Sequence, residues 1–526
     1  MLQDSLLLII SLLFAVSMLA ILSDKLKVSY PVFLVIAGLL ISLVPGIPDI
    51  SLEPDLVFVV FLPPLLYYSA WWTSWNDFWR MRRPIALLAF GLVVFTAIGV
   101  AWVSHMMIPG FPLALGFVLG GIVSPTDAVA ATAVIQKANL PKRLVTILEG
   151  ESLVNDASGI VIYRFALAAV LTGHFVLWKA GVNFLEVASM GIVIGLAIGG
   201  VAYAIHRWLP TTASVDASIT LITPYLMYIT AEHYHFSGVL AVVSGGLFLS
   251  YRSHRVFTYE TRLLAQSVWN VLVFLLNGVV FIMIGLQLPF IVKGLGEYSL
   301  TAAIGYGLVI SLVAMAIRIA WVYPGAYLPR MCSRKIRLRE SDPGKRAVFI
   351  EGWSGMRGVL SLAAALALPL TLTTGERFPH RNLILFITFS VILFTIVIQG
   401  LSLPWVIRWL RITNDETDRQ PELELRLQLA TAVLAHITAD YGKESTTIDA
   451  FIRLRQRYER MVRITEQRKE KDDTPTFLPR YRQLLLELVD IQRKELVNLR
   501  RDDTFPEELL RNKELELDLE EARFRN

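Results

Sequence analysis

Apolar stretches separated by short polar loops fill the chain as far as residue 412. A helix needs about 20 mostly apolar residues to cross a bilayer. Stretches near that length lie at about 5–22, 29–45, 55–72, 84–108, 113–136, 144–173, 187–208, 218–232, 237–251, 268–292, 300–328, 347–372 and 382–410. The count is thirteen spans, or twelve if 218–251 is divided wrongly. The pattern predicts an all-α polytopic membrane domain over residues 1–412.

The pattern changes abruptly after residue 412. Residues 413–526 are rich in Glu, Asp, Arg and Lys, with leucine and isoleucine at helical spacings. This composition predicts a cytoplasmic tail of charged amphipathic helices, interrupted near Pro475, Pro479 and Pro506. Its charges are explained by solvated faces and i,i+4 pairs, or alternatively by regulation or a dimer contact. The sequence identifies no partner for the tail.

Basic residues are distributed unevenly between the loops. One alternate set of loops carries nineteen lysines and arginines, whereas the opposite set carries four, Lys179, Lys293, Arg377 and Arg381. Because cytoplasmic loops carry the excess of positive charge, the N-terminus is predicted outside and the tail inside a bacterial-type cytoplasmic (inner) membrane. The net charge of +5 then reflects membrane topology, and nucleic acid is not a predicted partner.

Composition excludes several classes of protein. The chain is 55% hydrophobic and 18% charged, which is too apolar for a soluble protein of 526 residues. The first apolar run follows Met-Leu-Gln-Asp and lacks a basic start, so it is predicted to be a retained helix. One cysteine, Cys332, excludes a disulfide within one chain. No phosphate loop or nucleophile elbow is present, so neither enzyme chemistry nor a bound cofactor is predicted.

The predicted fifth span carries a break and an acid. Ser124-Pro125-Thr126-Asp127 follows two glycines, and proline removes a backbone donor from a helix interior. Irregular backbone at membrane depth is tolerated where it lines a cavity, and its free carbonyl groups suit a hard cation such as sodium. The alternative is a proline kink in which Asp127 is a helix N-cap.

The predicted sixth span carries the densest polar cluster. Ser152 and Asp156 are i,i+4 neighbours, and Glu151 and Asn155 share the adjacent face. A carboxylate within a membrane span costs about 2.5–3.5 kcal/mol and is a functional hypothesis by default. The Asp156 carboxylate, the Ser152 hydroxyl and an oxygen of Thr126 are therefore predicted to bind a monovalent cation. The alternative is a polar knot between helices without a transported ion.

Other ionisable residues have structural explanations. Arg357, between Gly355 and Gly358 in the predicted twelfth span, stays charged and needs an anionic partner. We expect that partner to be Glu151. Arg318 and Arg164 also lie within predicted spans, and their roles stay open.

Three histidines lie near the ends of predicted spans. His206, His233 and His235 are expected to be solvated interfacial residues. A metal site or pH sensor built on the pair His233 and His235 is the alternative.

Three strings together resemble the monovalent cation:proton antiporter-1 family, the bacterial NhaP and animal NHE type of sodium–proton exchanger. The likeness covers most of residues 1–412 and does not extend to the tail. The strings are Ser124-Pro-Thr-Asp-Ala-Val-Ala-Ala-Thr132, Glu149-Gly-Glu-Ser-Leu-Val-Asn-Asp156 and Gly355-Met-Arg-Gly358.

The resemblance implies thirteen helices in two inverted six-helix repeats, with crossing discontinuous helices, a core, a dimerisation subdomain and a homodimer. It implies that Asp156 binds the ion and the proton. Thr126 and Ser152 are then oxygen ligands, Asp127 acts nearby, and Asn155 completes an Asn-Asp pair. A stabilising pair of Glu151 with Arg357 is also implied.

The chain departs from the family at one position. After Leu62-Pro-Pro-Leu-Leu66 many relatives carry an aromatic residue and then glutamate, whereas this chain has Tyr67-Tyr68. The missing glutamate bears on ion selectivity and affinity, because a phenol is a neutral ligand.

The predicted function is secondary antiport of Na+, or of Li+ or K+, against H+. Cation and proton would compete at Asp156, with alternating access to the two sides. K+/H+ exchange at the same site and a passive cation channel are the alternatives. A membrane receptor that signals through its tail is a weaker one, since the tail carries no catalytic motif.

Overall fold

The computed structural model describes most of the chain in two compact units, Met1–Asn414 and Asp415–Asn526. Pro475 and Pro506, used in the sequence predictions, lie outside the described residues, as does Lys27, one of the nineteen basic loop residues. The described residues are 2–26, 28–44, 54–137, 140–173, 177–296, 298–339, 342, 344–372, 375–412, 419–442, 444–470, 477–501 and 507–525.

The first unit is helical throughout its described residues, apart from loops and one isolated bridge between Thr371 and Arg377. Its α-helices are Leu2–Leu26, Tyr30–Ser42, Leu62–Trp72, Trp75–Arg80, Arg82–Ala86, Val93–Met107, Leu113–Val123, Ala128–Lys137, Lys142–Thr172, Leu177–Trp208, Ala213–His233, Gly238–Arg252, Tyr259–Leu286, Leu288–Gly294, Leu300–Cys332, Arg334–Arg339, Lys345–Trp353, Val359–Leu366, Arg381–Phe394 and Gly400–Leu410. Short π-helical segments, Leu56–Phe61, Leu87–Leu92 and Thr395–Gln399, continue into these helices, and a 3-10 turn covers Ser253–Arg255.

The helices agree with the membrane pattern at the level of fold class. Among the described residues, seven helical segments are long and apolar enough to cross a membrane. Every other predicted span also contains helix, and the region 218–251 holds two separate helices, Ala213–His233 and Gly238–Arg252. The all-α polytopic prediction is confirmed. The count of thirteen crossings and the inverted repeats stay predictions.

Helix ends differ from the apolar boundaries where polar residues extend a helix beyond the predicted span. Tyr259–Leu286 begins nine residues before the predicted limit of 268, and Leu177–Trp208 begins ten before 187. A helix does not have to stop where the hydrocarbon core stops, since its polar end can continue into the interface. Hydropathy therefore locates the spans and misses the ends of their helices.

Two predicted spans are broken in the middle. In the fifth, Leu113–Val123 is separated from Ala128–Lys137 by non-helical residues that include Pro125. In the twelfth, Lys345–Trp353 is separated from Val359–Leu366 by non-helical residues that include Gly355 and Gly358. Both breaks are buried within protein, as irregular backbone at membrane depth requires.

A buried polar contact joins three helices away from these breaks. Nδ1 of His206 lies 2.7 Å from Oδ1 of Asp216, and the Thr261 hydroxyl donates to the other oxygen of Asp216 at 3.3 Å. The expectation of a solvated His206 is therefore wrong, because the neighbouring helices cover it. His233 and His235 are exposed, as expected.

The second unit is a set of charged helices. They are Arg419–Asp440, Glu444–Thr447, Asp449–Glu470, Phe477–Arg501 and Glu507–Arg525. The predicted i,i+4 pairs are present, for example Arg455 with Glu459 at 2.7 Å, and Arg493 joins the last two helices by pairing with Glu521 at 2.5 Å. Exposed pairs of this kind contribute about 0–1 kcal/mol each. Pro479 lies in the first turn of its helix, where proline is tolerated, so it does not interrupt that helix.

Candidate cation site

The two broken spans meet at their non-helical segments. The backbone N–H of Asp127 donates to the carbonyl oxygen of Met356 at 2.7 Å. A side chain at Gly358 would collide with the Asp127 carboxylate, so only glycine allows this approach. Asp127 is therefore fixed where both helices are interrupted.

Arg357 holds the two breaks together through main-chain carbonyl groups. Its Nε donates to the carbonyl of Val123 at 3.1 Å, and its Nη1 donates to that of Gly355 at 2.6 Å. Val123 is the last residue of the first helix of its span and Gly355 lies two residues after the first helix of the other, where a helix dipole is negative. The side chain is 1% exposed, so its charge is balanced by carbonyl oxygens and helix ends.

Glu151 pairs with a different arginine. Nη1 and Nη2 of Arg318 donate to the two carboxylate oxygens of Glu151 at 2.5 and 2.8 Å, and both side chains are at most 2% exposed. The prediction that Arg357 is the partner of Glu151 is wrong. The helix Leu300–Cys332 brings Arg318 across the twelfth-span break, where Gly355 leaves room for its stem.

Thr126 and Asn155 complete a polar knot around this ion pair. The Thr126 hydroxyl donates to Oε1 of Glu151 at 2.9 Å and accepts from Nη1 of Arg318 at 3.2 Å. Nδ2 of Asn155 donates to the hydroxyl and to the carbonyl of Thr126, both at 3.0 Å. These hydrogen bonds form a polar knot between helices that holds Glu151, Asn155 and the Thr126 side chain.

Asp156 lies outside that knot. It lines a small cavity of about 70 Å³ together with Asp127, Thr126 and Ser152, which we call the inner cavity. No hydrogen-bond donor or cation contacts the Asp156 carboxylate among the described residues. Oδ1 of Asp127 accepts from the backbone N–H of Val129 at 2.8 Å, so Asp127 is also the N-cap that was considered for it. Ser152 accepts from the N–H of Ala128 at 3.2 Å.

A larger cavity adjoins the inner one. It has a volume of about 440 Å³, is lined by Glu149 and Tyr68, and shares Ser152 and Asn277 with the inner cavity. We call it the vestibule. Among the described residues, no hydrogen bond or ion pair engages the Glu149 carboxylate.

Tyr68 lies on the wall of the vestibule, where its uncharged phenol forms a hydrogen bond. Its hydroxyl donates to Oδ1 of Asn270 at 2.9 Å. Tyr68 does not line the inner cavity. The residue that stands where many relatives carry glutamate therefore lines the vestibule and not the inner cavity.

The structure thus brings Thr126, Asp127, Ser152 and Asp156 to one cavity and places Glu151 and Asn155 beside it. Sequence reasoning missed the role of Arg318, although its position within a predicted span was the signal for a buried partner. Glu149 was missed as well. It lies three residues before Ser152 and seven before Asp156, which is the spacing of one helix face.

Fold and site together define a polytopic helical membrane protein with half-buried carboxylates at the meeting point of two broken helices. Comparison with known proteins gives the family. The profile described as "Sodium/hydrogen exchanger, transmembrane" matches residues 9–409, so the chain belongs to the sodium/hydrogen exchanger family. The resemblance noted from the three sequence strings is confirmed.

Curated relatives and a solved structure agree with this assignment. An uncharacterized Na(+)/H(+) exchanger of Mycobacterium tuberculosis is 31% identical over 98% of this chain and 95% of its own length. The sodium, potassium, lithium and rubidium/H(+) antiporter of Bacillus subtilis is 36% identical over 71% of this chain and 57% of its own length. The structure of the sodium proton antiporter MjNhaP1 of Methanocaldococcus jannaschii is 20% identical, covers 78% of this chain and 99% of that one, and has a TM-score of 0.60, which supports the fold.

Proposed function

We propose that the protein is a secondary antiporter that exchanges Na+, or K+ or Li+, for H+ at Asp156. The observation that carries the proposal is the unengaged carboxylate of Asp156 in a cavity at the crossing of two broken helices. Glu151 is neutralised by Arg318, and one oxygen of the Asp127 carboxylate accepts a backbone hydrogen bond, whereas no described residue donates to Asp156. Asp156 is therefore the acid of this cluster that is least engaged by the protein and best placed to take a mobile ion.

Competition at one carboxylate is sufficient to couple the two fluxes. A cation and a proton cannot both neutralise Asp156, so each crossing carries one or the other. Exposure of the site to one side at a time then makes the exchange obligatory. We propose that a homodimeric scaffold holds the chain in a bacterial inner membrane while the helices around Asp156 move.

The position of the vestibule supports a proposal for the side of the membrane to which the inner cavity opens. It lies toward Glu149, near the start of the helix Lys142–Thr172, whose first residues belong to the loops rich in basic residues. By the positive-inside rule that end is cytoplasmic. The described conformation would then be open to the cytoplasm.

The cation preference can be measured with everted membrane vesicles. Na+, K+ and Li+ are added separately to vesicles with an imposed pH gradient, and dissipation of the gradient is recorded with the membrane potential clamped. Dissipation by Na+ supports the proposal, and a larger response to K+ assigns the protein to K+/H+ exchange, which the cation range in the name of the Bacillus subtilis relative keeps open. Cation conductance without proton counter-transport would instead identify a channel.

Removing the charge of Glu149 is expected to weaken cation entry. Glu149 lies about 10 Å along the helix from Asp156, and a negative charge in a low-dielectric funnel raises the local cation concentration. We expect Glu149→Gln to raise the apparent KM for the cation between about two- and tenfold at low ionic strength. Everted vesicles are suitable because they present the proposed cytoplasmic opening to the added cation.

The salt dependence of the KM distinguishes electrostatic attraction by Glu149 from a structural effect of its substitution. Screening shortens the Debye length to about 8 Å at 0.15 M salt, so choline chloride should shrink the difference from wild type. The control is Glu260→Gln, which removes an exposed carboxylate outside the vestibule. A KM increase that is independent of salt, or equal in both variants, contradicts electrostatic attraction by Glu149.

A further inference from the structure

Ser361 is a buried hydroxyl without a hydrogen-bond partner. The residue is 2% exposed, and its Oγ is engaged by no atom of the described residues. A serine can donate to the carbonyl four residues earlier when a helical turn precedes it, as Ser354, directly after Lys345–Trp353, does to Ile350 at 2.7 Å. Ser361 is the third residue of Val359–Leu366, so the residues before its helix are non-helical and offer no such carbonyl. The break itself leaves this hydroxyl free.

The unpartnered hydroxyl belongs to the inner cavity. Ser361 lines the same volume of about 70 Å³ as Asp127, Ser152 and Asp156. Burying a hydroxyl without a hydrogen bond costs about 1–3 kcal/mol by protein mutational data. Such a group is expected to acquire a partner when the cavity is filled. The cavity holds two carboxylates, and the partner that suits both carboxylates and a hydroxyl oxygen is a hard cation.

The hydroxyl of Thr126 is not available to a cation in the inner cavity. The hydroxyl of Thr126 donates its hydrogen to Glu151 and accepts from both Asn155 and Arg318. A hydroxyl has one hydrogen and two lone pairs, so that of Thr126 is fully used by the polar knot. Ser152 retains one lone pair beside the N–H of Ala128. The inner cavity can therefore take one further hydroxyl ligand, and Ser361 supplies it.

We propose that the Ser361 hydroxyl is a ligand of the transported monovalent cation, in place of the Thr126 hydroxyl. The proposal rests on the proposed exchange function and deepens it. Asp156 and Ser152 belong to the sixth span and Ser361 to the second half of the broken twelfth span. A bound cation then bridges the sixth span and the second half of the twelfth span. A proton on Asp156 forms no such bridge to Ser361.

Purified full-length Ser361→Ala tests the assignment. The expected result is an apparent KM for Na+ raised about tenfold in proteoliposomes, since a tenfold change corresponds to the loss of one moderate ligand interaction. The stabilising shift of the melting temperature by Na+ should fall in parallel. Without added cation the variant should unfold at or above the wild-type temperature, because the substitution removes an unsatisfied hydroxyl.

Ser354→Ala is the matched control. Ser354 lies in the same broken span, is also 2% exposed, and has a hydrogen-bonded hydroxyl. It should retain the cation affinity of wild type. A wild-type KM for Na+, K+ and Li+ in Ser361→Ala overturns the proposal, and so does an equal loss in Ser354→Ala. A lower melting temperature of Ser361→Ala without cation, at unchanged KM, identifies a structural role and overturns it too.

Measurements on the wild-type protein distinguish a failure of the proposed exchange function from a failure of the Ser361 assignment. If the wild type shows neither cation-dependent proton movement nor a cation-induced thermal shift, the exchange function fails before Ser361 is considered. If the wild type exchanges and Ser361→Ala binds Na+ as tightly, only the ligand assignment fails. Ser361→Cys adds a further distinction, because sulfur is a poor ligand for a hard cation while the side chain keeps its shape. It should resemble Ser361→Ala in its KM for Na+.

Discussion

Replacing Asp156 by asparagine is expected to abolish cation/proton exchange and to leave the protein folded. The amide cannot take up a proton at physiological pH and carries no charge for a cation. No described residue donates a hydrogen bond to the Asp156 carboxylate, so its removal breaks no internal contact. The measurement is dissipation of an imposed pH gradient in everted vesicles by Na+, K+ and Li+, with size-exclusion and thermal-unfolding profiles of the purified variant.

The control for this substitution is Glu232→Gln. Glu232 pairs with Arg164 at 2.7 Å away from the inner cavity, and the side chain of Arg164 is 44% exposed. This variant loses a carboxylate within the same unit and should keep its exchange activity. Retained exchange in Asp156→Asn would remove Asp156 from the mechanism, whatever the control shows.

Breaking the ion pair between Glu151 and Arg318 is expected to have the largest effect on stability. Removing one partner of a buried pair leaves an uncompensated charge and costs about 3–5 kcal/mol. Both Arg318→Ala and Glu151→Ala should therefore lower the free energy of unfolding by that amount, with reduced expression. The double variant should lose much less than the sum of the two, because neither charge is then left alone.

Two further variants test whether the large loss of stability is specific to the pair of Glu151 and Arg318. Arg164→Ala breaks a partly exposed pair and should cost about 0–1 kcal/mol. Arg357→Ala loses hydrogen bonds to main-chain carbonyl groups, so it should destabilise the protein while coupling to Glu151→Ala more weakly than Arg318→Ala does. Additive effects of Arg318→Ala and Glu151→Ala, measured by denaturant unfolding in detergent, would refute the pair.

The sequence predicts the helices and the acids well because both leave a local signal. Apolar length locates the spans, and proline or glycine beside a polar residue marks their breaks, as in Ser124–Asp127. The i,i+4 spacing of Ser152 and Asp156 places them on one face of a helix, and both line the inner cavity. These inferences need no knowledge of how the helices pack.

Partners on different helices are not predicted by spacing. By charge the sequence assigned Arg357 to Glu151 and left the role of Arg318 open, and the packing of Arg318 against Gly355 gives the pairing instead to Arg318. The same holds for Thr126, which the sequence predicts to supply an oxygen ligand and whose hydroxyl is a saturated hydrogen-bond partner in the fold. Sequence identifies which groups need a partner, and tertiary structure assigns it.

The measurement that tests the central claim most directly is the apparent KM for Na+ as a function of pH in everted vesicles. If cation and proton compete for Asp156, the KM should rise about tenfold per unit of decreasing pH once the carboxylate is largely protonated, by mass action at a single site. The maximal rate at saturating Na+ should stay nearly constant over the same range. A KM that is independent of pH while the maximal rate falls would show that the proton acts elsewhere, and would contradict competition at this carboxylate.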